Sequence, residues 1–229
     1  MSLSPTGLSK FVFAPEARFP LNHLNFMQPL LAETLSPSFF SRRTRSVARQ
    51  LLGCRLVRQL NGTRLSGIIV ESEAYIGEED LACHAKAGNT ARTRVMYGPP
   101  GFSYVYFTYG MHWMLNVVTE EEGFPAAVLL RAIEPQEGVD VMRALRGGKP
   151  VALLTNGPAR LTQAMGIERA ENGKDLCRPD SSIWIEPGRR LSPRQIATSS
   201  RIGLGQTPEP WLSKPWRYFV KGNSFVSRQ

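Results

Sequence analysis

Residues 54–75 read CRLVRQLNGTRLSGIIVESEAY, and this stretch decides the fold. Two runs rich in branched aliphatic residues, 54–59 and 64–75, flank the pair Asn61-Gly62. Asparagine and glycine tolerate the positive φ of a two-residue turn whose twist matches the strands on either side, so the runs are expected to pair as a β-hairpin. Further strand-like runs follow at 103–109, 111–118 and 126–133, and a last one at 217–221 ends on Gly222-Asn223. Short runs in such close succession predict a curved, mostly antiparallel sheet. Helical periodicity lies around it. From Ser36-Pro37 a basic amphipathic helix is expected, with Phe40, Val47, Ala48 and Leu51 on one face and Arg42, Arg43, Arg45 and Arg49 largely off it. Helices are also expected at 138–145 and 158–165, the latter opened by Asn156-Gly157-Pro158 as cap and first-turn proline. The predicted fold is a single α+β domain, its sheet flanked by helices.

That domain is expected over residues 36–229. Residues 1–35 mix Pro, Ser and Asn with scattered aromatics and lack both periodicity and a compact apolar signal-peptide core. They read as an extension outside the fold, disordered or an artefact of an upstream start, since Met27 lies within them. The net charge of +9 and pI near 9.9 favour a polyanionic partner, because each neutralised phosphate releases a condensed counterion from nucleic acid. An anionic membrane would attract the same surface, but no apolar run approaches the roughly 18 residues of a spanning helix. Cys54, Cys83 and Cys177 are odd in number and far apart, and are read as free thiols of a reducing, intracellular compartment. His23, His84 and His112 show no metal-binding spacing, so neither metal nor cofactor is expected.

Within 68–75 the strand period of two puts Glu71, Glu73 and Tyr75 on one face and Val70, Ser72 and Ala74 on the other. Two carboxylates so placed are either a solvated strand end or a coupled pair in a site. Arg131 interrupts the apolar run 127–133; buried there it needs an acidic partner, and Glu71 and Glu73 are the conspicuous candidates. A hairpin over 103–113 bends at Gly110 between Tyr109 and Met111. Such an apolar tip either packs back on the core, the default for an exposed aromatic, or forms a wedge that enters a nucleic acid. Between Leu81 and Thr119 there is no Asp or Glu, while Lys86, Arg92 and Arg94 share the stretch with Tyr97, Tyr104, Tyr106 and Tyr109, the combination a flipped or unpaired base requires. The helix start at Asn156-Gly157-Pro158-Ala159-Arg160 suits a phosphate or simply a cap. His84 by itself says little.

Taken together, Glu71-Ser72-Glu73-Ala74-Tyr75, His84, Tyr104-Val105-Tyr106-Phe107-Thr108-Tyr109-Gly110-Met111, Asn116 and Leu130-Arg131-Ala132 resemble the alkyladenine (3-methyladenine) DNA glycosylase family. The resemblance runs from about Phe39 to Phe225 and includes Asn156-Gly157-Pro158-Ala159-Arg160-Leu161 and Arg201-Ile202-Gly203-Leu204-Gly205. It implies that Glu73 deprotonates or orients the attacking water, helped by Arg131 and the backbone carbonyl of Ile202. Tyr75, His84 and Tyr106 would enclose a flipped purine, and Asn116 would crowd the exocyclic amino group of guanine. Tyr109, with Met111 beside it, takes the place of a DNA-intercalating wedge on a protruding hairpin, and Arg92, Arg94 and Arg160 become backbone contacts. Glu71 is assigned to ion pairing. The implied partner is double-stranded DNA approached through the minor groove by a monomer. The implied reaction is hydrolysis of an N-glycosidic bond, and with no lysine in the matched catalytic motif it leaves an abasic site without cutting the strand. A non-catalytic lesion-binding protein and a sugar hydrolase using both carboxylates remain as alternatives.

Overall fold

Asn61 and Gly62 both adopt left-handed backbone conformations, with φ of 47° and 80°, and fold Arg55–Leu60 (β1) back onto Thr63–Ile76 (β2) as an antiparallel pair. The computed structural model describes residues 1–2 and 33–227, and those from 33 onward belong to one compact unit, Ala32–Gln229. β2 is its axis. One edge pairs with β1 and then with Arg217–Val220 (β8), and the other pairs with Ala126–Glu137 (β5). Beyond β5 lie His112–Val118 (β4) and Ser103–Thr108 (β3), beyond β1 lies Ile183–Glu186 (β6), and Ile196–Ser199 (β7) pairs with β8. Every pairing is antiparallel. Register shifts along β2 and β5 at Ser66/Gly67, Ile69/Glu71 and Glu71/Ser72 bend the sheet, as β-bulges do.

The helices are Pro37–Phe40 (α1), Thr44–Leu51 (α2), Val139–Leu145 (α3) and Pro158–Met165 (α4). α2 covers one face of β2: Val47, Ala48 and Leu51 are wholly buried, and Ser72 Oγ donates to the carbonyl of Ala48 at 2.7 Å. Burying Val47 and Leu51 contributes about 1.5–3 kcal/mol each. Since Ser72 points toward α2, the period of two turns Glu71, Glu73 and Tyr75 to the opposite side.

Several expectations need correction. The helix expected to run on from Ser36-Pro37 is two helices, because Glu120 reaches across from the β4–β5 turn to accept the Thr44 N–H at 2.9 Å and starts α2 afresh. β5 continues four residues past 133, to Glu137. The short strands β6 and β7 were not anticipated. Most of the 1–35 extension lies outside the described residues, but its end is tied to the fold: Leu35 N–H donates to Ile185 O, and Thr34 Oγ1 to Cys177 O.

Candidate active site

A pair of bulges builds the charged centre. Across β2 and β5 the register steps from Glu71↔Ala132 to Ser72↔Leu130, which leaves Arg131 as the extra residue and re-aims its side chain. It lands between the two glutamates: Nε is 2.8 Å from Glu71 Oε1 and Nη1 is 3.2 Å from Glu73 Oε2. Both carboxylates have no solvent exposure, so the solvated strand-end reading fails; charges this deep persist only when paired and hydrogen-bonded. Glu71 also accepts from Arg217 Nε at 2.8 Å and from the amide and hydroxyl of Ser227 at 2.7 and 2.8 Å. Glu73 accepts from the Tyr75 hydroxyl at 2.8 Å and from the Ile202 N–H at 2.7 Å. The resemblance assigns the carbonyl of Ile202 to the attacking water; its amide is the group that bonds Glu73.

These surroundings drive the two carboxylates apart. Burial pushes Glu71 up, but Arg131, the Ser227 amide and Arg217 outweigh it and hold it below the usual glutamate range. At Glu73 burial prevails over Arg131, the Ile202 amide and Tyr75, and its pKa is raised. Carboxylates whose pKa values diverge are the pattern expected where one stays ionised and the other exchanges a proton.

Glu73 lies directly behind the wall of a cavity of about 400 Å3, and its three donors Tyr75, Arg131 and Ile202 all line it. Much of the rest of the lining is aromatic. His84 stands edge-on to Tyr106 with ring centroids 4.4 Å apart, and its Nδ1 is 2.9 Å from the Tyr104 hydroxyl. Burial, with Arg92 and Lys86 nearby, pushes the His84 pKa down to about 4, so the ring is neutral at pH 7. Asn116 is buried in the wall and donates Nδ2–H to Tyr104 O at 3.0 Å. Cys83 also lines the cavity, but burial pushes its thiol up to about 12, leaving no thiolate at neutral pH.

At the cavity mouth β3 turns into β4 through Tyr109 and Gly110, with φ of 52° and 67°. Tyr109 is 75% exposed and Met111 67%, so the tip does not pack back on the core. Arg92 and Arg94 are exposed, and the Arg92 guanidinium sits 5.2 Å from the Tyr106 ring centroid. Arg160 is exposed at the start of α4, where Nη1 donates to Asn156 Oδ1 at 2.8 Å. A second cavity of about 260 Å3 beside Asn156–Arg160 shares Arg131, Pro158 and Ile202 with the first.

Comparison with known proteins settles what this centre belongs to. The family model for methylpurine-DNA glycosylase matches residues 38–224. The chain belongs to the methylpurine-DNA glycosylase family. The provisionally named 3-methyladenine DNA glycosylase of Carboxydothermus hydrogenoformans is 45% identical over 195 residues, covering 85% of this chain and 99% of its own length. Proteins of the same name from Methanocella arvoryzae and Myxococcus xanthus are 47% and 44% identical over 196 and 194 residues, covering 85% of this chain in each case and 96% and 93% of themselves. The protein is a DNA glycosylase of DNA repair.

The glycosylase brings together Glu73, Tyr75, His84, Tyr106, Asn116, Arg131 and Ile202 as the sequence reading grouped them, and places Tyr109 at the rim of the same cavity. Met111 and the three arginines lie outside that wall. Tyr104, Arg217, Ser227 and a buried Asp80–Arg201 pair were assigned no role from sequence. For Arg217, Asp80 and Arg201 the signal was a buried charge in search of a partner, and partners in this network lie up to 156 residues away.

Proposed function

We propose that this glycosylase acts as a monomer on double-stranded DNA within the cell. It approaches the duplex through the minor groove, takes a damaged purine into the cavity and hydrolyses the bond between the base and deoxyribose C1′. The observation that carries the reading is Glu73, a buried carboxylate of raised pKa behind the wall of an aromatic cavity. Water adds to C1′ as the C1′–N bond breaks, the base leaves with the bonding electrons, and Glu73 takes the proton from the water. Arg131 and Ile202 hold the carboxylate in place, and positive charge building on the sugar is stabilised by the anion. Alkylation at N3 or N7 makes the purine cationic, so 3-methyladenine and 7-methylguanine leave as neutral bases and need no acid; hypoxanthine and etheno-adenine are neutral substrates of the same pocket, and each takes up a proton from water as it leaves. Neutral His84 and the Asn116 side chain contribute recognition, not protonation. Arg92, Arg94 and Arg160 contact the DNA backbone.

A single-turnover panel of duplexes carrying methylated, deaminated or etheno purines tests the reading. The expected products are free base and an alkali-labile abasic strand, with no protein–DNA adduct trapped by borohydride although Lys86 lines the cavity. Release of no base from any lesion would leave the non-catalytic binding protein.

The hairpin tip supplies a second expected result. Two consecutive positive φ angles normally call for Asn-Gly, and holding Tyr109 there costs of order 1–3 kcal/mol; strain at this exposed position supports a role as the wedge that fills the vacated base stack. Tyr109→Asn keeps the turn and removes the wedge. It should lower the ratio of lesion to undamaged affinity by about 10-fold or more, since extrusion costs a few kcal/mol, without lowering the melting temperature. Arg160→Ala should weaken lesion and undamaged duplex alike and reduce the salt slope by about 1. Stopped-flow fluorescence of etheno-adenine and a salt titration read both; an unchanged reverse-flipping rate in Tyr109→Asn removes the wedge.

A further inference from the structure

Outside the carboxylate cluster a fully buried ion pair between Asp80 and Arg201 joins three segments of chain. Asp80 and Arg201 side chains are wholly shielded from solvent. Arg201 grips Asp80 with both arms, Nη1 at 2.5 Å from Oδ2 and Nη2 at 2.9 Å from Oδ1. The same two nitrogens donate to Ala74 O at 3.0 Å and Trp211 O at 3.2 Å. The guanidinium lies 4.7 Å from the Tyr75 ring centroid and 5.0 Å from the Trp216 ring centroid. The Asp80 carboxylate also accepts the Ala82 N–H at 3.1 Å and the Ile76 N–H at 3.3 Å.

Such a pair is a poor device for stability alone, because the desolvation of two buried charges offsets most of their attraction and a hydrophobic pair often serves as well. Its attachments are more telling. Ala74 is the residue between Glu73 and Tyr75, and Arg201 immediately precedes Ile202. The pair therefore grips the chain beside each of two donors to Glu73, the Tyr75 hydroxyl and the Ile202 N–H. Arg131, the third donor, is delivered independently by β5.

We propose that Asp80 and Arg201 are positioning residues for base excision, fixing the Ile202 amide and the Tyr75 ring against Glu73 so that its carboxylate is ionised and correctly aimed. The inference rests on the reading of Glu73 as the base. When the clamp is released, two of the three donors to Glu73 are free to drift. The carboxylate then protonates more readily and spends less time aligned with the water.

The test measures single-turnover excision of 7-methylguanine from duplex DNA across pH for Asp80→Asn, Arg201→Met, Arg201→Lys and Glu73→Gln, with lesion affinity and melting temperature for each. Asp80→Asn and Arg201→Met should slow excision by about 10- to 100-fold, the cost of small misplacements at a reacting centre. They should also move the acid limb to higher pH by up to about one unit, through the lost hydrogen bond to the charged form. Arg201→Lys keeps the charge without the fork and should fall between Arg201→Met and wild type. Asp80→Asn is nearly isosteric and retains an acceptor oxygen, so it carries the test if Arg201→Met does not fold. A folded Asp80→Asn protein with unchanged rate and acid limb, whatever its melting temperature, overturns the positioning role while an inactive Glu73→Gln leaves the base intact. Wild-type excision by Glu73→Gln instead removes the base itself.

Discussion

Glu73→Gln should lower single-turnover excision by about 10²- to 10⁴-fold, the usual contribution of a positioned general base, while lesion-containing duplex still binds. Glutamine matches the shape of the carboxylate and can still accept from the Ile202 N–H, but it cannot take a proton. The pH profile should carry the same signature. Excision of a cationic lesion by the wild-type protein falls as the pH drops through the Glu73 pKa, which burial raises above the ordinary 4.5. Stability should run the other way. A glutamate whose folded pKa is raised favours the native state fully below its unfolded pKa, and that contribution is lost as the pH rises through the folded value. At neutral pH burial works against the ionised Glu73, which offsets part of the loss when glutamine turns its amide toward Arg131, so Glu73→Gln should melt less far below wild type than Glu71→Gln. Excision by Glu73→Gln within a few-fold of wild type, or a flat acid limb with chemistry rate-limiting, would remove Glu73 from the mechanism.

What the sequence made legible here was local or periodic. Asn61-Gly62 set the β1–β2 hairpin because only certain residues tolerate the turn, and alternation along 68–75 sorted Glu71, Glu73 and Tyr75 from Val70, Ser72 and Ala74 without knowledge of any neighbour. Arg131 in an apolar run demanded a carboxylate, and the demand is met. The break between α1 and α2 was hidden because its cause, Glu120, lies 76 residues from Thr44. Asp80 and Arg201 are 121 residues apart, with no pattern linking them. β6 and β7 are four residues each, too short for alternation to stand out. The hairpin tip misled residue-by-residue reading for a different reason: an exposed tyrosine is disfavoured on packing grounds, yet Tyr109 stands exposed on a turn of two positive φ angles that no packing rule anticipates.

Glu71→Gln makes the same chemical change two residues away, and its expected result is the reverse: the fold suffers first. Glu71 accepts from Arg131, Arg217 and both the amide and hydroxyl of Ser227, so it anchors β5, β8 and the C-terminal segment on β2. Glutamine cannot balance two buried guanidinium groups, and its amide turns a donor toward at least one of them. Breaking a buried pair by removing one partner costs about 3–5 kcal/mol. For a domain of this size that corresponds to a loss of roughly 6–20 °C in melting temperature. The pH dependence has a definite sign. The folded pKa of Glu71 is lowered, so its stabilisation is complete above the ordinary value of 4.5 and disappears as the pH falls below that value through the folded pKa. Urea melts from neutral to acid pH should therefore show wild type and Glu71→Gln far apart at pH 7 and converging in acid. The pair of variants separates the two carboxylates: Glu73→Gln leaves the more stable but inactive protein, and Glu71→Gln the less stable one whose folded fraction retains the base. Equal melts for Glu71→Gln and wild type at pH 7 would show that Arg131 and Arg217 do not depend on Glu71, and its ion-pair role would fall.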